Sequence, residues 1–262
     1  MNTPPKKITV LIPCFNEESG IASVIKGFPV ERLAAQGYLL DIIVIDNNSS
    51  DRTAEIAASH GATVIHESKK GKGNAMVRGF YSISNDTDYV VMIDGDYTYR
   101  PSEILRLIEP LSAGFCSVVI GSRLGGRISA GSMKPFNRMG NWIYSHLVKY
   151  FYGVNVSDVL TGYFAWKREA VERLRPHLES SGFSIEIEMV TKMARLGETV
   201  CSVPISYDLR AGESNLNPIV DGTRILLVFM RNLTWHPAGK KAKAKVSAEG
   251  PDPREVVLNQ NN

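Results

Sequence analysis

Five continuous apolar runs, "ITVLIP", "DIIVID", "ATVIH", "YVVMID" and "CSVVIG", recur through the first 121 residues, and they constrain the fold more than any other feature. Apolar residues fill every position in them instead of alternating with polar ones, which reads as strands buried on both faces. Each gap except those flanking the short third run is long enough for a crossover helix, so the runs predict a mostly parallel α/β sheet flanked by helices. Helix signals sit in the gaps. "NEESGIASVIKGF" offers Asn16 as an N-cap, "SSDRTAEIAASHG" starts at Ser49, Ser50 or Asp51 and stops at Gly61, and "PSEILRLIEPL" puts Pro101 at the first helical position.

Beyond residue 121 the pattern changes. "GSRLGGRISAGS" reads as a mobile loop, and "MKPFNRMGNWIYSHLVKYFYG" as an amphipathic helix; its Trp142, Tyr144, Tyr150, Phe151 and Tyr152 are core or lipid-facing, spacing favouring core for most. "TGYFAWKREAVERL", "SIEIEMVTKMARLG" and "TVCSVPISY" read as strand into helix, helix and strand. A last amphipathic stretch spans 219–232, and the polar, basic segment 236–262 is expected to be disordered.

The 30 basic and 27 acidic residues give a net charge of +3, and no basic-aromatic module accompanies them, so nucleic acid is not an expected partner. Cys14, Cys116 and Cys201 lack metal-ligand spacing and read as reduced core thiols of a cytosolic protein. The start resembles neither a secretory signal nor an anchor, and "ILLVFM" falls far short of the roughly 20 residues that span a bilayer. Any membrane contact is therefore expected to be peripheral.

Ligands of open parallel sheets bind where the strands exit at their carboxyl ends. Here those positions are polar: Asn16 and Glu17, Asp46 to Ser49, Asp94 and Asp96, Ser122 and Arg123. Alone, Asp94-Gly95-Asp96 is an ordinary turn. Beside the other exits, two hard oxygen donors on one tight turn suit Mg²⁺ or Mn²⁺ shared with a diphosphate. "KKGKGNA" at 69–75 is not a P-loop; it is either a solvated lysine-rich turn or, through Lys72 and Gly73, a phosphate contact at a helix N-terminus.

The ordered motifs "IPCFNEE", "VIDNNSSDRTAEIA", "KKGKGNAMVRGF", "VVMIDGDYTYRPSEI", "VIGSR", "LTGYFAWKREA" and "RAGESNL" resemble family-2 inverting glycosyltransferases of the GT-A fold, over roughly residues 6–232. More narrowly they are similar to the polyprenyl-phosphate hexosyltransferases, the dolichol-phosphate mannose synthases among them. The resemblance implies one GT-A domain over 1–235, with a nucleotide-sugar half (6–121) and an acceptor half (122–235). It places Pro13, Phe15 and Glu17 beside the nucleoside and Asp46 and Asn47 on the base, where the family's second acid is missing; the base leans to uracil. It makes Asp94 and Asp96 the metal ligands, with Thr98 where some relatives carry a further one. Arg123 and Arg210 become phosphate ligands, Asn215 replaces a lysine after Ser214, and Arg138, Asn141 and Ser214 face the acceptor phosphate, Arg138 being equally readable as a surface arginine on an amphipathic helix.

The implied reaction is metal-dependent transfer of a hexose from a nucleotide-diphosphate sugar to a polyprenyl or dolichyl phosphate, by a peripheral enzyme at the cytoplasmic face of a membrane. The 219–232 stretch and the lysines near 240 fit an anionic-lipid surface; a packed terminal helix with a solubilising tail fits as well. A phosphate acceptor needs no strong base. A hydroxyl acceptor, soluble or on a protein, needs one, and the resemblance offers Asp158 or Glu188, each equally a loop-supporting carboxylate. A non-catalytic nucleotide-sugar-binding module is the third reading.

Overall fold

A computed structural model describes residues 4–212 and 217–237. Ser214, Asn215 and the tail from 238 onward, with its lysines, lie outside the described residues. In chain order come β1 (Lys6–Cys14), α1 (Ile21–Lys26), α2 (Val30–Ala35), β2 (Tyr38–Asp46), α3 (Thr53–Ser59), β3 (Thr63–His66), α4 (Lys72–Tyr81) and β4 (Thr87–Met92). A 3₁₀ turn (Pro101–Glu103) then leads into α5 (Ile104–Ser112), β5 (Val118–Ile128), α6 (Pro135–Tyr152), β6 (Phe164–Lys167), α7 (Arg168–Leu174), α8 (Ile185–Leu196), β7 (Val200–Tyr207) and α9 (Pro218–Leu233).

These strands form one seven-stranded sheet in the order β3-β2-β1-β4-β6-β5-β7, parallel throughout except for β6, which runs antiparallel to both its neighbours. Successive side chains of the apolar runs go to opposite faces, as the pleat requires. Ile8, Val10 and Ile12 meet the layer of α1, α3 and α5, and Leu11, Ile43 and Ile45 meet the layer that includes α4, α7 and α8. The expected α/β architecture is therefore present, with all five predicted strands.

Four expectations are corrected. The gaps around β3 do hold helices, because a short helix suffices to reach a strand only four residues long. Asn16 caps no helix, since α1 begins only at Ile21; it takes a left-handed backbone (φ 55°), and its side chain accepts from Ser50 N at 2.8 Å, tying the exits of β1 and β2 together. The Gly/Ser/Arg-rich segment after 121 is largely strand: β5 continues to Ile128 because β7 supplies a partner, with a register shift between Ser122 and Arg127. On α6, Trp142, Tyr150 and Phe151 are exposed while Tyr144 and Tyr152 pack on the core, so the face turned inward, through Asn141, Ser145 and Val148, is narrower than the aromatic content implies.

Candidate active site

The exits of β1 and β4 bring Glu17, Asp94 and Asp96 to one edge of the sheet, and two basic side chains from distant segments meet them. Lys72, first residue of α4, places Nζ 2.6 Å from Asp94 Oδ1 and 2.6 Å from Glu186 Oε1. Arg210 reaches in from beyond β7, with Nη1 3.0 Å from Asp96 Oδ2 and Nη2 2.6 Å from Glu17 Oε1. Both acids of the Asp-Gly-Asp turn thus share a compact cluster of alternating charge. Tyr97, directly after them, holds a left-handed backbone (φ 61°), a strained geometry for a bulky residue and of the kind that accumulates at functional sites.

The two aspartates differ. Asp96 is buried and its Oδ1 accepts from Thr98 N at 3.0 Å and Thr98 Oγ1 at 2.6 Å. Thr98 is therefore a brace for Asp96, and its hydroxyl is engaged there. Asp94 is more open, and its carboxylate lies where a Cβ on Gly162 would stand. That overlap gives the Thr-Gly-Tyr segment its requirement for glycine, and Gly162 N is itself held by Tyr99 Oη at 2.7 Å.

Burial sets the electrostatics. Desolvation, with Asp96 and Asp94 nearby, pushes the Glu17 carboxyl from 4.5 up to about 7 even though Arg210 opposes the shift. Asp96 is raised by burial and by Asp94, again against Arg210. Burial pulls Lys72 down, but Asp94 and Glu186 more than offset it, and its ammonium is held charged well above the usual range. Two buried polar atoms here have no hydrogen-bond partner among the described residues, Arg210 Nε and Glu186 Oε2. Unpaired buried groups of this kind are costly, and both sit beside the acids where a polar ligand would meet them.

Other predicted residues lie elsewhere or are otherwise engaged. Arg123 forms a buried two-point pair with Asp158, Nε to Oδ2 and Nη2 to Oδ1 both at 2.8 Å, and gives Leu160 O a further bond at 2.6 Å. Asn141 donates to the same Asp158 Oδ1 at 2.5 Å and accepts from Leu160 N at 3.1 Å. This second cluster adjoins the first through the Tyr207 ring, against which the Arg123 guanidinium lies at 5.2 Å and which packs edge-on against Tyr99. Arg138 is exposed on α6.

Glu188 is fully buried and accepts from Ser180 N at 2.7 Å and Lys192 Nζ at 2.7 Å, which makes it a support for the 179–180 segment. Asn47, expected on the base, is buried with its amide donating to Glu67 O and Lys69 O and its oxygen accepting from Gly71 N at 2.6 Å. Its side chain shapes the lysine-rich loop. Asp46 stands beside it at the exit of β2, and Phe15 lies under the Lys70 ammonium at 5.1 Å. Pro13 is a buried residue of β1.

Sequence reasoning missed Glu186, Tyr99 and Gly162. Glu186 and Glu188 stand two apart on α8, roughly 200° around a helix, so only one can face the cluster, and only the fold decides which.

Could these residues hold a divalent ion? Among the described residues no group of three or more His, Cys, Asp or Glu side chains converges as a self-sufficient centre. Two aspartates on one turn, open on the Asp94 side, fit a hard ion that completes its shell with substrate oxygens.

A mostly parallel sheet with an Asp-Gly-Asp turn at the exit of a central strand, ringed by Lys72, Arg210 and Glu17, is an architecture of the GT-A type. Residues 9–175 match the family described as Glycosyl transferase family 2, and the chain belongs to that family. It is 36% identical over 229 residues to glycosyltransferase AglJ of Haloferax volcanii, covering 87% of this chain and 72% of the relative. It is 31% identical to a dolichyl-phosphate hexose transferase of the same organism (83% and 90% covered), and 27% identical to an undecaprenyl-phosphate mannosyltransferase of Micrococcus luteus (90% and 98%). Among solved structures, glucosyl-3-phosphoglycerate synthase from Mycobacterium tuberculosis in complex with Mn²⁺, uridine diphosphate and glucosyl-3-phosphoglycerate superposes with a TM-score of 0.69 at 23% identity, covering 89% of this chain and 82% of that one. That likeness bears on the fold.

Proposed function

We propose that this glycosyltransferase moves a hexose, with inversion, from a nucleotide-diphosphate sugar to a polyprenyl or dolichyl phosphate at the cytoplasmic face of a membrane, with Mg²⁺ or Mn²⁺ bound at Asp94 and Asp96. The observation that carries the choice of acceptor is the state of the two carboxylates offered as a base. Asp158 is engaged by Arg123 and Asn141, and Glu188 by Lys192 and two backbone amides. A hydroxyl nucleophile needs a free base, whereas a phosphate monoester is already anionic near neutral pH and needs only positioning. The names of two relatives, a dolichyl-phosphate hexose transferase and an undecaprenyl-phosphate mannosyltransferase, point the same way.

In this reading the ion, when bound, neutralises charge growing on the departing diphosphate. Arg210, whose Nε has no partner among the described residues, would supply the second neutralising charge to the diphosphate. Lys72 orients Asp94 through its 2.6 Å contact, and the unpartnered Glu186 Oε2 is available to accept from a hydroxyl of the donor sugar. Arg123, held by Asp158, contributes its field and braces the acceptor side, where Arg138 offers an exposed guanidinium to the lipid phosphate. Asp46, whose carboxylate also meets Ser49 N and His66 Nδ1, is the acceptor offered to the N–H of the base, and a UDP-sugar is proposed over GDP-mannose. No helix among the described residues is long and apolar enough to cross a membrane. The exposed apolar residues of α6 and α9 are proposed to rest on the acyl boundary while polar groups meet the lipid phosphate.

UDP- and GDP-sugars labelled in the hexose, offered with dolichyl or undecaprenyl phosphate and Mg²⁺ or Mn²⁺, test the reading. Label moving into the organic phase is expected. Label confined to water-soluble or protein products overturns the acceptor, and undiminished transfer in EDTA overturns the metal.

A further inference from the structure

α4 begins without any side-chain cap, although the amides of a first helical turn need partners. A remote segment supplies one: Ser181 O accepts from Asn74 N at 3.2 Å. The fit is close enough that a Cβ on Gly71 would overlap Ser181 O and a Cβ on Gly73 would overlap Ser180 O. Lys72, between those glycines, is therefore set in place by the 179–182 segment, and it is Lys72 that joins Asp94 to Glu186 at 2.6 Å each.

That segment is in turn fixed from behind. Glu188 accepts from Ser180 N at 2.7 Å and from Glu179 N at 3.2 Å, and its Oε1 pairs with Lys192 Nζ at 2.7 Å. Arg231 of α9 closes the chain, with Nη2 3.3 Å from Glu188 Oε1 and Nη1 3.1 Å from Glu179 Oε2. A fully buried Glu-Lys pair is weak as a source of stability, because desolvation consumes most of its attraction. Held to two backbone amides and one guanidinium, it is well suited to fixing a segment in one place.

We propose that Glu188 and Arg231 are positioning residues for metal and donor binding, acting through the 179–182 segment on Lys72 and so on Asp94. The inference rests on the metal-dependent reading above. It makes α9, whose outer face carries exposed Leu227 and Met230, mechanically continuous with the metal side of the site.

A double-mutant cycle tests it, read by Mn²⁺ binding in the presence of UDP from the paramagnetic resonance signal of the free ion, on the full chain. Arg231 is half-exposed, so Arg231→Gln leaves the fold in place. It is expected to weaken Mn²⁺ binding about three- to tenfold, with Arg231→Lys restoring most of the loss. In a Lys72→Met background the same substitution is expected to add nothing, since the group it acts through is gone. Gly73→Ala, whose Cβ would displace the Ser180 backbone, strikes the contact from the other side and should weaken Mn²⁺ binding more than Arg231→Gln does. An equal loss in both backgrounds, or no loss in the wild type, overturns the proposal. A coupled cycle in a protein that transfers no sugar to lipid phosphate leaves the positioning intact and overturns the function; intact transfer with an additive cycle does the reverse. A wild type that binds no Mn²⁺ overturns both.

Discussion

Asp94 and Asp96 stand two residues apart yet live in different surroundings, one partly open and paired to a lysine, the other buried and paired to an arginine and a threonine. Replacing Asp94 by Ala removes the accessible oxygen donors and strands Lys72 on Glu186. Transfer is expected to fall by on the order of a hundredfold or more while the circular dichroism spectrum is retained. Glu17 carries a second prediction at this scale. Its pKa rises from 4.5 to about 7 on folding, so between those values the folded protein holds a proton that the unfolded chain has released. Stability from this group is therefore greatest below the unfolded value and declines as pH climbs to about 7, the reverse of an acid held by a dominant salt bridge. Glu17→Gln removes the titration, and its melting temperature should fall less between about pH 5 and pH 7.5 than that of the wild type.

At the scale of elements, Arg123 on β5, Asn141 on α6 and Asp158 on the loop before β6 form one buried polar knot. Asp158→Ala leaves a buried guanidinium with the Leu160 carbonyl and the Tyr207 ring but no counter-charge from Asp158, and urea unfolding should report a loss of about 3–5 kcal/mol. This knot also marks where the sequence stops being readable. Strands buried on both faces announce themselves as continuous apolar runs, as β1, β4 and the first half of β5 do, whereas β3, read in the same way, is an edge strand with no buried residue; polar residues at the strand exits locate the site's edge. Asp94, Asp96, Lys72 and Arg210 were nameable from those exits and from motif order. Their partners were not, because an ion pair between residues 17 and 210, or 72 and 186, leaves no local pattern. Asn47 and Glu188 look like ligands in the sequence for the same reason that they make good buried braces: each offers several hydrogen-bonding positions. α2 leaves no apolar period in the sequence because only Leu33 of its six residues is buried, whereas the equally short α1 buries Ile21, Val24 and Ile25.

Across the whole molecule the two layers flanking the sheet are unequal. The layer that includes α6 and α9 ends in large apolar side chains left open to solvent among the described residues, including Trp142 (55% exposed), Tyr150 (83%), Ile219 (77%) and Leu227 (64%). Single exposed apolar residues are ordinary, but several on two helices that contact each other are the pattern of an interaction surface. Membrane docking through this face makes a prediction that a loss of catalytic power does not. Leu227→Glu combined with Ile219→Glu withdraws two large side chains, each worth about 1.5–3 kcal/mol when buried in an apolar phase. Co-sedimentation with anionic vesicles should fall by more than about tenfold, and so should transfer to a long-chain polyprenyl phosphate held in those vesicles. Transfer to a short-chain, water-soluble polyprenyl phosphate should be unaffected, because Leu227 and Ile219 are exposed and neither belongs to the Arg231–Glu188–Glu179 contacts that tie α9 to the site. Equal losses with both acceptors would place the defect in the site itself and remove the membrane from the account of α9.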